Sequence, residues 1–349
     1  MADEKELIVI DGSIGYGQVL RSAVALSALT LKPIRVTNIR AGRPRPGLAP
    51  QHLTGIKIAA EFCNAELVGA QYGSMEIEFR PKELNVTDRR IDIGTSGSIG
   101  LLLQTLLPLL IFAKKETTLE ISGGTAGLGA PSVEYIKHVT LPMLAKFGIE
   151  LPELEVVRQG FYPRGGGLVR VKAKPVKRLG YANLLSQGTI KIVKCLSIAG
   201  SLPLTVAERQ ANAAKEFLLR NGVETVVDVK AETAETLSQG TSITIFEENN
   251  ESILGADAIG RRGVRAEEVG REVAASFLTS LRSGAALDKW MADQIIPFLA
   301  LASGKSAVTV EEITDHCATN MIICEKILGV NFEIVGKRIS CSGIGFSAK

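Results

Sequence analysis

"VLRSAVALSALT" (residues 19–30) runs into "IRVTNIRAGRPRPGLAP" (34–50) and then "QHLTGIKIAAEFCN" (51–64). The first stretch is apolar on almost every side, as a buried helix is. The second opens as a β-rich alternation and ends in a loop dense in Gly and Pro; the third returns to a helical period. The same order recurs twice. "GLLLQTLLPLLIFA" (100–113) leads to "TTLEISGGTAGLGAPS" (117–132) and "VEYIKHVTLPMLAKFG" (133–148). "WMADQIIPFLALASG" (290–304) leads to "AVTVEEI" (307–313) and "TDHCATNMIICEKILG" (314–329). "SMEIEFRP" (74–81), "GLVRVKAKP" (167–175) and "FEIVGKRISCS" (332–342) read as strands that close the copies. The expected fold is α/β, a large domain of three repeated units, each of two helices and a sheet.

The spacing carries a second message. The strand ends Ile39 and Ile121 lie 82 residues apart, whereas Ile121 and Ile313 lie 192 apart. The third copy is therefore longer by about 110 residues, the size of a small domain. Its content, "IKIVKCLSIAG", "VAERQANAAKEFLLRNG", "VETVVDVKAET" and "TSITIFEE", is itself α/β, with "EENNES" (247–252) on an exposed turn. The expected division is 1–183 and 281–349 for the large repeat domain, and 184–280 for the insert.

Composition narrows the class. Hydrophobic residues make up 46% of the 349 and charged residues 22%, the profile of a folded, soluble protein. The longest apolar run, 100–113, is too short to cross a bilayer, and Gln104 interrupts it. "MADEKELIVID" has no charged n-region and apolar h-region, so a cytoplasmic protein without membrane attachment is expected. The five cysteines (63, 195, 317, 324, 341) form no CxxC pair, which argues against a zinc site or a disulfide framework. The net charge of +3 decides nothing, but its distribution does: seven Lys or Arg and no acid lie between Gly12 and Ala60, a local field that attracts phosphates.

Several stretches offer chemistry. Thr314 or Asp315 is a good N-cap and Gly329 a good stop for a helix whose Cys317, Met321, Cys324 and Leu328 form the buried stripe. His316, Thr319 and Asn320 share another edge, near the N–H groups and positive dipole end that suit an anion and keep an imidazole neutral. The plainer reading of His316 is a surface or capping histidine. In "NIRAGRPRPGLAPQH" (38–52), Arg40, Arg43 and Arg45 sit in a loop stiffened by Pro, where guanidinium forks grip phosphate; the plainer reading is a solvated basic loop. "IDGSIGYGQVLRS" (10–22) resembles a phosphate loop but lacks the P-loop and GxGxxG spacings, and Arg21 lies one turn beyond it. "ISGGTAGLGAPS" and "GFYPRGGG" are further Gly-rich crossings. Trp290, the only tryptophan, is either core or a base-stacking platform. His138 reads as a helix-surface residue, and Cys317 and Cys324 as core.

Taken together, "DGS…GQVLRSAVALSALT", "NIRAGRPRPGL…QHL", "SGSIGLLLQTLLP", "SGGT…APSVEYI", "GFYPRGGG", "MADQ" and "HCATN" resemble the RNA 3′-terminal phosphate cyclase family, in the family's order across residues 11–320. The resemblance implies three repeated units with a smaller thioredoxin-like insert. It implies an ATP-dependent ligase-type enzyme that converts an RNA 3′-phosphate to a 2′,3′-cyclic phosphate through a histidyl-AMP, releasing AMP and pyrophosphate. By motif, His316 matches the nucleophile. Gln104 and Trp290, Met291, Ala292, Asp293 and Gln294 match the ATP site, with Trp290 stacking on adenine opposite Pro131. Arg21, Arg40, Arg43 and Gln51 match positions for the triphosphate or the RNA terminal phosphate. Mg²⁺ or Mn²⁺ is expected on the ATP phosphates. The family's first loop reads like G-E-G-G-G-Q, whereas "GYGQ" here is two residues shorter, with Tyr16 in place of the acid. The metal ligands are therefore unknown, and a ligand borrowed from elsewhere, such as Asp293, is one expectation. Other readings are a catalytically inert relative that assists ribosome assembly, against which His316, Thr319 and Asn320 argue, and an enolpyruvyl transferase, which needs no nucleophilic histidine. Oligomeric state stays open, a homodimer among the options.

Overall fold

The computed structural model describes residues 6–15, 17–249 and 251–348. Tyr16, on which the altered first loop turns, lies outside the described residues.

The first unit comprises β1 (Ile8–Asp11), α1 (Gly17–Thr30), β2 (Ile34–Thr37), α2 (Pro50–Phe62), β3 (Glu66–Val68) and β4 (Ile77–Arg80), with sheet order β1-β2-β4-β3. β1 and β2 are parallel and the other pairs antiparallel. The second unit repeats this plan: β5 (Arg89–Asp92), α3 (Ile99–Ile111), β6 (Thr117–Gly123), α4 (Val133–Tyr135), a π-helical turn (Ile136–Thr140), α5 (Leu141–Ala145), β7 (Glu153–Arg158) and β8 (Gly167–Ala173). Its order is β5-β6-β8-β7 with the same pattern of parallel and antiparallel pairs. A β-helix-β crossover followed by a hairpin thus recurs, the crossover forced because parallel neighbours cannot be joined by a tight turn.

The third unit is split. It opens with β9 (Asn183–Leu184), and the chain then leaves it for β10 (Ile192–Gly200), α6 (Leu204–Arg220), β11 (Val226–Ala234), β12 (Gly240–Glu248), β13 (Gly255–Ile259) and α7 (Ala266–Ser283). These four strands form their own sheet, β11-β10-β12-β13, whose core under α6 and α7 holds Val193, Ile243, Ile245 and Phe277 apart from the main core. One parallel pair and two antiparallel ones give this sheet the thioredoxin-like plan. The chain returns through α8 (Lys289–Leu301), β14 (Ser303–Thr309), α9 (Asp315–Leu328), β15 (Phe332–Val335) and β16 (Arg338–Ile344). The order β9-β14-β16-β15 matches the other two units strand for strand.

Several details differ from the sequence expectation; Glu247 and Ser252, expected on an exposed turn, are 0% exposed. "FEIVGKRISCS" is a hairpin, turned at Gly336 and Lys337, rather than one strand. The expected helix 133–148 is broken by the π turn just ahead of Pro142, whose missing N–H removes a bond from the regular ladder. Helix α7 goes beyond the expectation, although Val269, Val273, Phe277 and Leu281 repeat every fourth residue and are all buried.

α1 is the central helix: every residue but Arg21 and Thr30 is buried, and it packs on α2, α3 and α9. Removing that much apolar surface from water, about 25 cal/mol per Å², fixes the three units on one core. Among the described residues no helix is long and apolar enough to cross a membrane.

Candidate active site

Five helices begin around one cleft of about 680 Å³. α1 contributes Gln18 and Arg21, α2 Gln51 and His52, α3 Gln104, α8 Trp290, Asp293 and Gln294, and α9 His316; Arg40, Arg43 and Pro131 arrive on loops. A helix start carries the positive end of the dipole and favours an anion where its N–H groups are not already taken by a carboxylate, as those of α8 are.

The arginines are held. Arg21 Nε donates to Gln104 Oε1 at 2.9 Å and its Nη2 donates to Gln18 Oε1. Gln18 Nε2 donates in turn to Asn320 Oδ1 at 3.2 Å, Ser22 Oγ donates to the same oxygen at 2.6 Å, and Asn320 Nδ2 donates to the Asp293 carbonyl at 2.6 Å. One amide, 0% exposed, therefore ties α1, α8 and α9 together. Arg40 Nη1 donates to the Gly47 carbonyl at 2.7 Å. Gly47 has φ +77°, and a Cβ there would lie 2.1 Å from the Gly73 carbonyl, so the arginine loop seats on the 69–76 turn only with glycine at this position. Gly100 plays a similar part: a Cβ would meet the Pro131 carbonyl at 2.4 Å, so its absence lets the 125–131 crossing lie over α3 and bring Pro131 to the cleft.

The electrostatics follow from burial and from these cations. Desolvation pulls Arg21 down to about 10. Burial, then Arg21 and Arg40, pull His52 down to about 3, so it is neutral. His316, half-buried, is lowered by burial, then by Arg21 and Arg43, with Asp315 opposing. The imidazole is thereby kept unprotonated, the form with a nucleophilic nitrogen. Asp293 is raised to about 7 by burial and by Asp288, against the Thr314 hydroxyl that it accepts from.

Most residues singled out from sequence meet here: His316, Gln104, Pro131, Trp290, Asp293, Gln294, Arg21, Arg40, Arg43 and Gln51 all line the cleft. Met291 and Ala292 do not; both are 0% exposed in the core behind α8. Trp290 is 44% exposed, a face turned to the cleft rather than a core residue. Thr319 and Asn320 are buried, and Asn320 serves the helix joint described above instead of facing a ligand. Gln51 Oε1 accepts from the Ser98 N–H at 3.1 Å, which fixes the start of α3. "GFYPRGGG" is elsewhere: Phe161 packs on Gly200 and Gly240 of the inserted sheet. His138 stacks on Phe246 at 4.4 Å and faces Glu134 at 3.5 Å. Cys317 and Cys324 are core thiols. His52 was not anticipated; its place in the first turn of α2, beside Gln51, was the available signal. A larger groove of about 860 Å³ runs between β7 and the open face of the inserted sheet; it mixes acids with Lys137, Arg158, Lys194 and Lys230, and Lys194 and Lys230 are paired with its own Glu248 and Glu232.

Fold and cleft together define an α/β protein of three repeated units whose joint is built to hold an anion beside a neutral histidine. The chain belongs to the RNA 3′-terminal phosphate cyclase family, whose profile matches residues 13–334. The RNA 3′-terminal phosphate cyclase of Pyrococcus furiosus is 44% identical over 335 residues, 95% of this chain and 96% of its own. Those of Thermococcus kodakarensis (45% over 334 residues; 95% and 96%) and Archaeoglobus fulgidus (43% over 335; 95% and 99%) are similar to the same degree. Among solved structures, the enolpyruvyl transferase NikO from Streptomyces tendae gives a TM-score of 0.41 at 11% identity, over 97% of this chain and 48% of that one.

Proposed function

We propose that the protein is an ATP-dependent RNA 3′-terminal phosphate cyclase with His316 as its nucleophile. The observation that carries this is the half-buried, neutral-biased imidazole at the start of α9, with Arg21 and Arg43 close enough to lower its pKa. In a chain of this family that juxtaposition fits nucleotidyl transfer.

In the proposed sequence an imidazole nitrogen attacks the α-phosphorus of ATP, the N–P bond forms, the α–β P–O bond breaks and pyrophosphate leaves. The adenylate then passes to an oxygen of the RNA 3′-phosphate and His316 is regenerated. The neighbouring 2′-OH closes on the 3′-phosphorus, and AMP departs as the leaving group. Splitting one hard anhydride formation into two transfers is the advantage of the covalent route. Trp290 and Pro131 take the base. Gln104 and Gln18 hold the Arg21 guanidinium toward the phosphates, where its charge is worth most as the transferring group loosens. Arg40 and Arg43 serve the RNA end and Gln51 fixes the α3 start. Mg²⁺ or Mn²⁺, when bound, neutralises phosphate charge. Among the described residues no group of three or more His, Cys, Asp or Glu is arranged for a metal, but a single carboxylate plus phosphate oxygens is a donor set that Mg²⁺ accepts, and Asp293 would supply it. We further infer that the expected insert, 184–280, is a discrete domain, taken from β10 to the end of α7 because Leu184 pairs in β9 of the third unit.

The test is incubation with ATP labelled at the α-phosphate and Mg²⁺, beside His316→Ala. Acid-labile, alkali-stable label on the wild type, and none on a folded variant, is expected. Label that persists on the variant would move the nucleophile elsewhere.

A further inference from the structure

The start of α8 is tied down in an unusual way. Asp288, 0% exposed, caps the helix: Oδ1 accepts from the Trp290 N–H and the Met291 N–H, both at 2.9 Å. The same oxygen accepts from the Tyr135 hydroxyl at 2.7 Å, and Oδ2 accepts from the Gly255 N–H of β13 at 3.0 Å. A second carboxylate completes the first turn. Glu311 Oε2 accepts from the Lys289 N–H at 3.2 Å and from the Ser280 hydroxyl of α7 at 2.6 Å. Both carboxylates that satisfy the first amides of α8 are thus also held by the segment inserted into the third unit. That turn carries Trp290, and neither carboxylate lines the cleft.

We propose that Asp288 is a positioning residue: with Tyr135 of the second unit and Gly255 of the inserted segment it fixes the angle of the Trp290 platform, so affinity for the nucleotide base is set from those two units together. This rests on Trp290 being the base platform. Asp288 touches no ligand, so its effect runs through one aromatic face. A buried carboxylate with four N–H or O–H donors is a rigid joint: three converge on Oδ1, and losing the Gly255 N–H would leave Oδ2 a costly unpaired acceptor. Changing Asp288 to Asn keeps the shape but replaces one acceptor oxygen by an NH₂ that faces other donors. Tyr135 also lines the cleft; Tyr135→Phe keeps its ring there, removes a single hydroxyl from the same joint, and is the gentler variant should Asp288→Asn fold poorly.

The single tryptophan makes the test direct. Trp290 emission is titrated with a non-hydrolysable ATP analogue in wild type, Asp288→Asn and Tyr135→Phe, with acrylamide quenching measured alongside. Binding of the analogue to Trp290→Ala and to the double variant Asp288→Asn/Trp290→Ala is followed by calorimetry. Asp288→Asn is expected to weaken binding about tenfold and to raise quenching, Tyr135→Phe to do so about threefold, with the adenylylation rate at saturating ATP within twofold of wild type. The double variant is expected to bind no more weakly than Trp290→Ala alone. Additive losses in the double variant, or a fall in the saturated rate with affinity unchanged, would overturn the proposal. If Trp290→Ala binds the analogue as wild type does, the platform reading itself fails and this inference with it. That outcome is distinct, because labelling of His316 would be untouched.

Discussion

Helices α8 and α9 pack together and both begin at the cleft, yet their first turns are finished in opposite ways. α8 is closed by two carboxylates that take the N–H groups of Lys289, Trp290 and Met291. Its positive end is neutralised inside the protein, and what it offers the cleft is an aromatic face. α9 is capped by a neutral hydroxyl: Thr314 Oγ1 accepts from the Cys317 N–H at 3.0 Å. Asp293, which the Cys317 N–H also reaches, and Asp315 of the same turn stand near this end, but its cap is the hydroxyl, and His316 sits in that first turn. The charge of the cap decides whether a helix start becomes an anchor or an anion site. In the proposed enzyme the anchor holds the base and the open end meets the phosphates.

The comparison breaks most readily at Arg21, the partly buried cation beside the start of α9. If the cleft's welcome for phosphate came from the α9 start alone, Arg21→Ala would matter little. We expect it to slow adenylylation by about 10²–10³-fold, the usual cost of losing one preorganised donor to a developing charge. Arg21→Lys is expected to recover little, because separate nitrogens of the guanidinium meet Gln104 and Gln18 and an ammonium cannot span both. Single-turnover labelling rates decide the matter.

How much of this was legible in the sequence depends on the kind of interaction. The three units were readable, because helix and strand periods survive without sequence identity between copies. The surplus in the third copy was readable from spacing. The first strand of that copy, β9, was not, since two residues carry no period. The cleft residues were readable where a motif or a rigid Gly/Pro loop marked them, as with Arg40, Arg43 and His316. Asn320 looked like a ligand-facing neighbour of His316, and only packing reveals that α1 and α8 close over it. Tyr135 lies 153 residues from Asp288 and Gly255 lies 33 from it, and the three share no motif. Such joints are set by tertiary contact, which a single sequence does not display.

A further buried acid feels the anchored start of α8. Glu247 is 0% exposed, and burial, with Asp288 adding, raises it from 4.5 to about 7. A carboxyl whose folded pKa is raised costs stability once it ionises, fully above the folded value and not at all below the unfolded one. Glu247→Gln is therefore expected to stabilise the protein by roughly 3 kcal/mol above pH 7, a gain that shrinks below pH 7 and vanishes below about pH 4.5. Urea melts of both proteins at pH 8, 6 and 4.5 check it. A gain independent of pH would mean that Glu247 is not the ionising group, and that the acid load on the anchored end has been misplaced.

The smallest effect sharpens the comparison at its other end. Thr314 does two things: its oxygen caps the Cys317 N–H, and its hydroxyl hydrogen goes to Asp293 Oδ1. Thr314→Ala removes both and is expected to cost about 1 kcal/mol, as the loss of an N-cap does. The cost stays small because Asn320, a turn further on, still holds α9 to the Asp293 carbonyl, so that only the first turn frays. That turn carries His316, so adenylylation should slow several-fold along with the stability loss, and Thr314→Ser, which keeps the hydroxyl, should restore both. Equilibrium urea melts and labelling rates on the three proteins separate the possibilities. Should Thr314→Ala abolish labelling while leaving stability unchanged, the hydroxyl serves the ligand and not the helix, and α9 would be open for a different reason than its neutral cap.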